Sequence, residues 1–106
     1  MYIADIYMIV PDFEAVEGFE WDHGNIDKNS DKHNVSNAEC EEIFMNEPLL
    51  LFPDETHSEV EDRYTAFGRT NYFRFLAITF IIRKNRIRVI SARDMTAKEK
   101  RQYENA

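Results

Sequence analysis

The chain has 106 residues, 43% of them hydrophobic and 13% aromatic, with three Gly, three Pro and one Cys. That is the size of one domain around one core, and the composition excludes a long disordered tract, a disulfide scaffold and a linker-rich protein. A formal net charge of −7 speaks against a polyanionic partner, but the distribution reverses this: residues 1 to 62 carry two basic and 17 acidic side chains, residues 63 to 106 carry 11 and three, so a polyanion would meet the second half.

Met1 to Val10 is apolar, yet it has no basic start and holds Asp5 within the run, which is not the make-up of a signal peptide. The longest apolar run, Phe75 to Ile82, falls short of the roughly 20 residues of a membrane-spanning helix. Cys40 has no second cysteine to pair with, as suits a reducing compartment. The expectation is a cytoplasmic protein without a membrane span.

Residues 1 to 16 form an N-terminal extension in which Tyr2 to Val10 could add a strand, while Pro11, Asp12, Glu14 and Glu17 suggest an exposed connector. The domain proper is expected over residues 17 to 106. Gly18 to Trp21 reads as a short strand, and Asp22 as the N-cap of a helix from His23 to about His33. Asn34 follows, a residue that tolerates the left-handed conformation closing a helix.

Ser36 with Glu39 three residues on forms a capping box, opening a second helix that ends before Pro48 and turns Val35, Ala38, Ile43 and Phe44 to the core. Leu49 to Phe52 is a strand, and Asp54 to Glu61 an acidic loop. Arg63 to Arg69 alternates with the period of two. Phe73 to Ile82 is apolar at both parities, as a central strand covered on both faces would be.

Asn85 marks a hairpin turn. Arg86 to Arg93 is the last strand, with Ile87, Val89 and Ser91 on one face and Arg86, Arg88 and Ile90 on the other. Thr96 and Glu99 make a second capping box before a short terminal helix. The expected class is α+β: an antiparallel sheet of about four strands, two N-terminal helices and a short C-terminal helix.

Four clusters in this order resemble the BrnT family of type II toxins: Phe19-Glu20-Trp21-Asp22, Lys32-His33-Asn34-Val35-Ser36, Phe67-Gly68-Arg69-Thr70 and Arg88-Val89-Ile90-Ser91-Ala92-Arg93. Asp62-Arg63-Tyr64 and Arg101-Gln102-Tyr103 also look like family positions. The resemblance implies a RelE-like fold, metal-independent RNA cleavage that stops translation, and a small antitoxin partner with a ribbon-helix-helix type DNA-binding region. DNA would then be met only through the antitoxin. The sequence departs from the family at Asn34, where glycine is usual.

Cutting RNA without a metal needs a group that takes the 2′-hydroxyl proton, one that protonates the leaving oxygen, and cations against the phosphoryl charge. Histidine titrates nearest neutral pH, and arginine's planar fork suits phosphate. His33, Lys32, Arg69 and Arg93 are therefore the catalytic candidates. Lys28, Arg86, Arg88, Tyr103 and Trp21 are the RNA-binding candidates, although Trp21 suits the core better than a base-stacking platform, Tyr103 could instead anchor the last helix, and any of the arginines could serve only to pair a carboxylate. No cofactor is expected, and the three His and Cys40 lack the spacing of a metal site. The alternative is an inactive toxin fold kept as an interaction module for an antitoxin-like partner.

Overall fold

Strong alternation in the second half of the chain sets the architecture of the computed structural model, which describes residues 13–54 and 62–106. Five strands, β1 (Gly18–Phe19), β2 (Leu50–Pro53), β3 (Arg63–Arg69), β4 (Phe75–Arg83) and β5 (Arg86–Asp94), form one sheet in the order β1-β5-β4-β3-β2. Neighbours run antiparallel except β1, which lies parallel to β5. Three short helices accompany the sheet: α1 (Lys28–His33), α2 (Asn37–Glu42), which passes into a 3-10 turn at Ile43–Met45, and α3 (Ala97–Glu104).

This corrects the expectation of a RelE-like, four-stranded antiparallel sheet behind two full N-terminal helices. The fold stays α+β, but its sheet is mixed and five-stranded, and the helix expected from His23 to His33 shrinks to six residues. Side chains compete with the helix at its expected start. Asp22 Oδ1 accepts from the Gly24 amide at 2.8 Å, Asn25 Oδ1 accepts from the Asp22 amide at 2.8 Å, and Asp27 sits at φ 57°. Asp22 thus shapes a turn and does not cap a helix.

Both capping boxes are formed, Ser36 with Glu39 and Thr96 with Glu99, and Asn34 adopts φ 56° between the first two helices. Lys84 and Asn85, at φ 53° and 63°, make the two-residue turn whose twist suits a hairpin. β4 is the central strand. Leu76, Ile78 and Phe80 join Val35, Cys40, Ile43, Leu51, Ile87 and Val89 on the face covered by the N-terminal elements. Ala77 joins Leu50, Phe67 and Tyr103 on the face covered by α3.

Phe13 belongs to the first of these layers, its ring 6.2 Å from those of Phe44 and Phe80. The Tyr2 to Val10 strand and most of the acidic loop after Asp54 lie outside the described residues. Two expected core positions move. Ala38 is exposed and Cys40 is buried in its place. In β5, Thr79 pairs with Ser91 but Phe80 pairs with Val89, so Ile90 is an inserted residue, a β-bulge that shifts the alternation. Ser91 is therefore exposed and Ala92 buried, with Arg93 outside again.

The β3–β4 hairpin closes through three loop residues, Asn71, Tyr72 and Phe73. The Thr70 amide donates to the Arg74 carbonyl at 2.8 Å and the Phe73 amide to the Thr70 carbonyl at 3.0 Å. The Arg74 amide donates to Thr70 Oγ1 at 3.0 Å. The third loop position of such a hairpin is left-handed and is ordinarily filled by glycine. Here it is Phe73 at φ 63°, a conformation that costs a residue with a Cβ about 1–2 kcal/mol.

Candidate functional site

The charge division seen in the sequence is folded into pairs. Arg88 donates through Nη1 and Nη2 to Asp22 at 2.8 and 2.9 Å, and through Nη1 to Glu20 at 3.0 Å. Its side chain is only 12% exposed, and the hydrogen-bonded guanidinium holds the Asp22 carboxyl below its ordinary range. Arg83 lies 3.6 Å from Glu20. This cluster occupies the β1 edge and spends basic charge from the second half on carboxylates from the first.

A second cluster is built at the opposite end of β5. Arg74, just after the hairpin, donates from Nε and Nη2 to Asp94 at 2.7 and 3.1 Å. Its Nη1 reaches the Asn34 carbonyl at 2.7 Å and both Glu39 oxygens at 3.3 Å, and its Nη2 reaches the His33 carbonyl at 3.3 Å. One guanidinium thereby joins the α1–α2 corner to β5. The Arg74 hydrogen bonds, with a smaller effect of the nearby His33, hold the Asp94 carboxyl below its usual value against the opposing pull of burial.

His33 is exposed on the last turn of α1 with Lys32 beside it. Arg93 follows the same strand end but points to the other layer. It donates bidentately to Glu99 at 2.7 and 3.0 Å, and to the Asp94 carbonyl at 3.1 Å. That pairing and the capping bonds lower Glu99 from 4.5 to about 2. Three of the five guanidinium N–H bonds of Arg93 are thus engaged.

Of the two catalytic arginine candidates, Arg69 commits fewer donors to described residues than Arg93. Its Nε donates to the Glu47 carbonyl at 3.0 Å, its guanidinium lies 4.5 Å from the centre of the Phe73 ring, and it makes no ion pair with a described residue. Lys28 and Lys32 are exposed on α1, likewise without an ion pair to a described residue. Arg86 is exposed at the far end of β5. It is seven residues from Arg93, or roughly 23 Å along the strand, so the two do not share one phosphate.

Two aromatic candidates are held in the core layers. Tyr103 is 3% exposed and its hydroxyl donates to the Pro48 carbonyl at 2.6 Å, which anchors α3. Trp21 packs against the core and its indole N–H donates to Glu41 at 2.8 Å. The residue that sequence reasoning passed over is Arg74. The signal available was its place at the start of an otherwise apolar strand, beside the Phe-Gly-Arg-Thr cluster.

No three His, Cys, Asp or Glu side chains group together to hold a metal among the described residues. Cys40 is a core thiol: burial, with the nearby Glu39 and Glu41, pushes it up to about 12, far from the thiolate a nucleophile needs. No described helix is long and apolar enough to cross a membrane.

His33, Arg69, Arg74 and Arg93 thus lie toward one end of the sheet of a small α+β domain, Arg74 bound to Asp94 on one layer and Arg93 to Glu99 on the other. The chain is more narrowly placed by its sequence. Residues 21–99 match the family described as the ribonuclease toxin BrnT of type II toxin-antitoxin systems, and the chain belongs to that family. Such a toxin is one half of a pair with an antitoxin. No curated protein matched the chain.

Proposed function

We propose that this chain is an endoribonuclease that needs no metal, cuts RNA to stop translation, and does so at the β3–β4 hairpin end of the sheet. The observation carrying the proposal is the arrangement around Asp94. His33 and Arg74 lie on one side of this strand end, Arg93 on the other, and Arg69 stands across β4 with most of its donors unused.

In this reading the 2′-hydroxyl attacks the adjacent phosphorus, its proton passing to His33. The 5′-oxygen leaves and is protonated, giving a 2′,3′-cyclic phosphate and a free 5′-hydroxyl. Arg69, Lys32 and Arg93 oppose the charge growing on the phosphoryl oxygens, Arg93 by exchanging Glu99 for phosphate. Arg74 has its donors engaged and acts as the positioning residue for His33. Lys28 extends the cationic approach from α1 and Arg86 is left to outer RNA contacts, while Arg88 stays committed to Glu20 and Asp22.

A small antitoxin with a ribbon-helix-helix type DNA-binding region is the proposed partner, and through it the toxin meets DNA in the cytoplasm. The test is cleavage of RNA in EDTA by the purified chain. His33→Gln is expected to lower the rate constant 10²- to 10⁴-fold, the usual share of general acid–base catalysis, with RNA affinity nearly unchanged. Full cleavage by both His33→Gln and Arg69→Ala would refute the assignment.

The second reading, an inactive toxin fold that binds an antitoxin-like partner, draws on one specific finding: Arg88, Arg93 and Arg74 are all tied to carboxylates. Induction of the chain alone separates the two. Growth arrest that His33→Gln relieves supports the ribonuclease, whereas harmless expression supports the interaction module.

A further inference from the structure

Tyr72 and Phe73 form the tip of the β3–β4 hairpin and are 94% and 62% exposed. Neither exposure nor backbone geometry favours aromatic side chains there. Phe73 occupies a left-handed position that glycine would fill without strain, and its ring gains little burial in return. Strain kept at an exposed residue points to a role outside folding.

The hairpin is held firmly, so these rings are presented and not loosely tethered. The Asn71 amide donates to Glu42 Oε1 at 2.9 Å, and Asn46 Nδ2 donates to Asn71 Oδ1 and the Arg69 carbonyl, each at 3.0 Å. The Arg69 guanidinium covers part of the Phe73 ring, 4.5 Å from its centre, and makes no ion pair with a described carboxylate. Lys100, on α3, lies 4.8 Å from the centre of the ring of Phe75 on β4. Cations set against aromatic rings, with donors left over for phosphate, are suited to single-stranded nucleic acid.

We propose that Tyr72 and Phe73 are the base-stacking platform of this protein: an unpaired RNA base stacks on the open surface of Phe73 or Tyr72 while Arg69 takes the phosphate beside it. The inference rests on the ribonuclease reading and adds to it the requirement that the substrate be unpaired at the position bound by the hairpin. A base in a duplex has both its faces occupied and could not stack here. Of the acidic neighbours at the hairpin, Glu42 accepts from the Asn71 amide, while Arg69 binds Glu47 only through the backbone carbonyl.

The test uses the full chain and a 2′-O-methyl RNA oligonucleotide, which cannot be cut, bearing one 2-aminopurine whose fluorescence falls on stacking. Wild type is expected to bind it and quench it. Phe73→Gly relieves the turn and is expected to raise the melting temperature while weakening binding roughly 5- to 100-fold and abolishing most of the quench, the range expected for loss of a stacked base. Tyr72→Ala should weaken binding without raising the melting temperature.

Unchanged affinity and quench in both variants, with cleavage by the wild type intact, overturns the platform and leaves the ribonuclease standing. If the wild type neither binds nor cuts RNA, the ribonuclease reading falls with it. If Phe73→Gly instead weakens antitoxin binding and leaves RNA binding alone, the hairpin is a protein-docking surface and the proposal is overturned.

Discussion

Arg74 and Asp94 meet through two parallel hydrogen bonds, 2.7 Å from Nε and 3.1 Å from Nη2, and this pair fastens the start of β4 to the end of β5 beside the bond from the Met95 amide to the Phe75 carbonyl at 3.0 Å. The fork geometry needs arginine, because a lysine ammonium cannot donate along two parallel lines. Arg74→Ala would remove the donor shared by Asp94, Glu39 and the carbonyls of His33 and Asn34, with Glu39 keeping its Ser36 donors. The expected loss is about 1–2 kcal/mol in urea unfolding, with Arg74→Lys recovering less than half of it. Equal stability of Arg74→Ala and wild type would contradict the role given to this residue.

Acid should weaken the fold in a defined window. Asp22, Asp94 and Glu99 are all held below their ordinary values, chiefly by hydrogen bonds from Arg88, Arg74 and Arg93 in turn. Groups depressed in the folded state add stability that is complete above their ordinary values and is lost as pH falls through the shifted ones. For Glu99 that window runs from 4.5 down to about 2. The melting-temperature difference between wild type and Arg93→Ala should be constant above pH 5 and shrink towards zero near pH 2. A difference that grows on acidification would reverse the sign of this linkage.

Asn25 is 2% exposed, and its amide donates to the carbonyls of Glu20 and Val89 at 2.9 and 3.1 Å while accepting from the Asp22 amide. It satisfies backbone groups at the sheet edge just where β1 stops. Asn25→Ala removes all three bonds and leaves buried carbonyls unpaired, for an expected loss of about 2–3 kcal/mol by chemical denaturation. Asn25→Asp should be no better, since a carboxylate cannot donate to those carbonyls.

Crowding at Gly68 gives a different kind of cost. A Cβ there would lie 2.9 Å from Ile43 Cβ and 3.1 Å from the Ile43 carbonyl oxygen, and backbone cannot swing aside. Gly68→Ala is expected to destabilise by about 1–3 kcal/mol. Lys84→Asn should act in the opposite direction, by up to about 0.5–1 kcal/mol, because Asn accepts the left-handed position at φ 53° more readily than Lys. Both are read from shifts of the urea midpoint at constant slope.

What the sequence revealed follows the range of the forces involved. Capping boxes at Ser36 and Thr96 and the turn at Asn85 depend on residues within three positions of one another, and they formed as expected. The central place of β4 was legible from apolar residues at both parities. The parallel pairing of Gly18 with Arg86 and of Phe19 with Ile87 was not, because two residues carry no period. Nor was the loss of the first helical turns, which depends on the particular way Asp22, Gly24 and Asn25 bond one another.

The same division holds at the site. Composition told that arginines gather late in the chain, and the family clusters singled out Arg69 and Arg93. Which arginine is committed to a carboxylate is a matter of three-dimensional neighbours: Glu20 and Asp22 for Arg88, Glu99 for Arg93, Asp94 and Glu39 for Arg74. Trp21 and Tyr103 looked suited to a base because of their ring chemistry, and each found a partner inside the fold.

The inserted residue in β5 has a consequence for how this protein tolerates change. Because Phe80 pairs with Val89 and Thr79 with Ser91, Arg93 and Asp94 are dealt to opposite layers with the parity that sends one to Glu99 and the other to Arg74. Deleting Ile90 would straighten the strand and keep those assignments, because Ser91 would then follow Val89 in ordinary register against Thr79. The strand thus carries one residue more than its pairing needs. At this point a lost residue should be tolerated without reversing either guanidinium partnership.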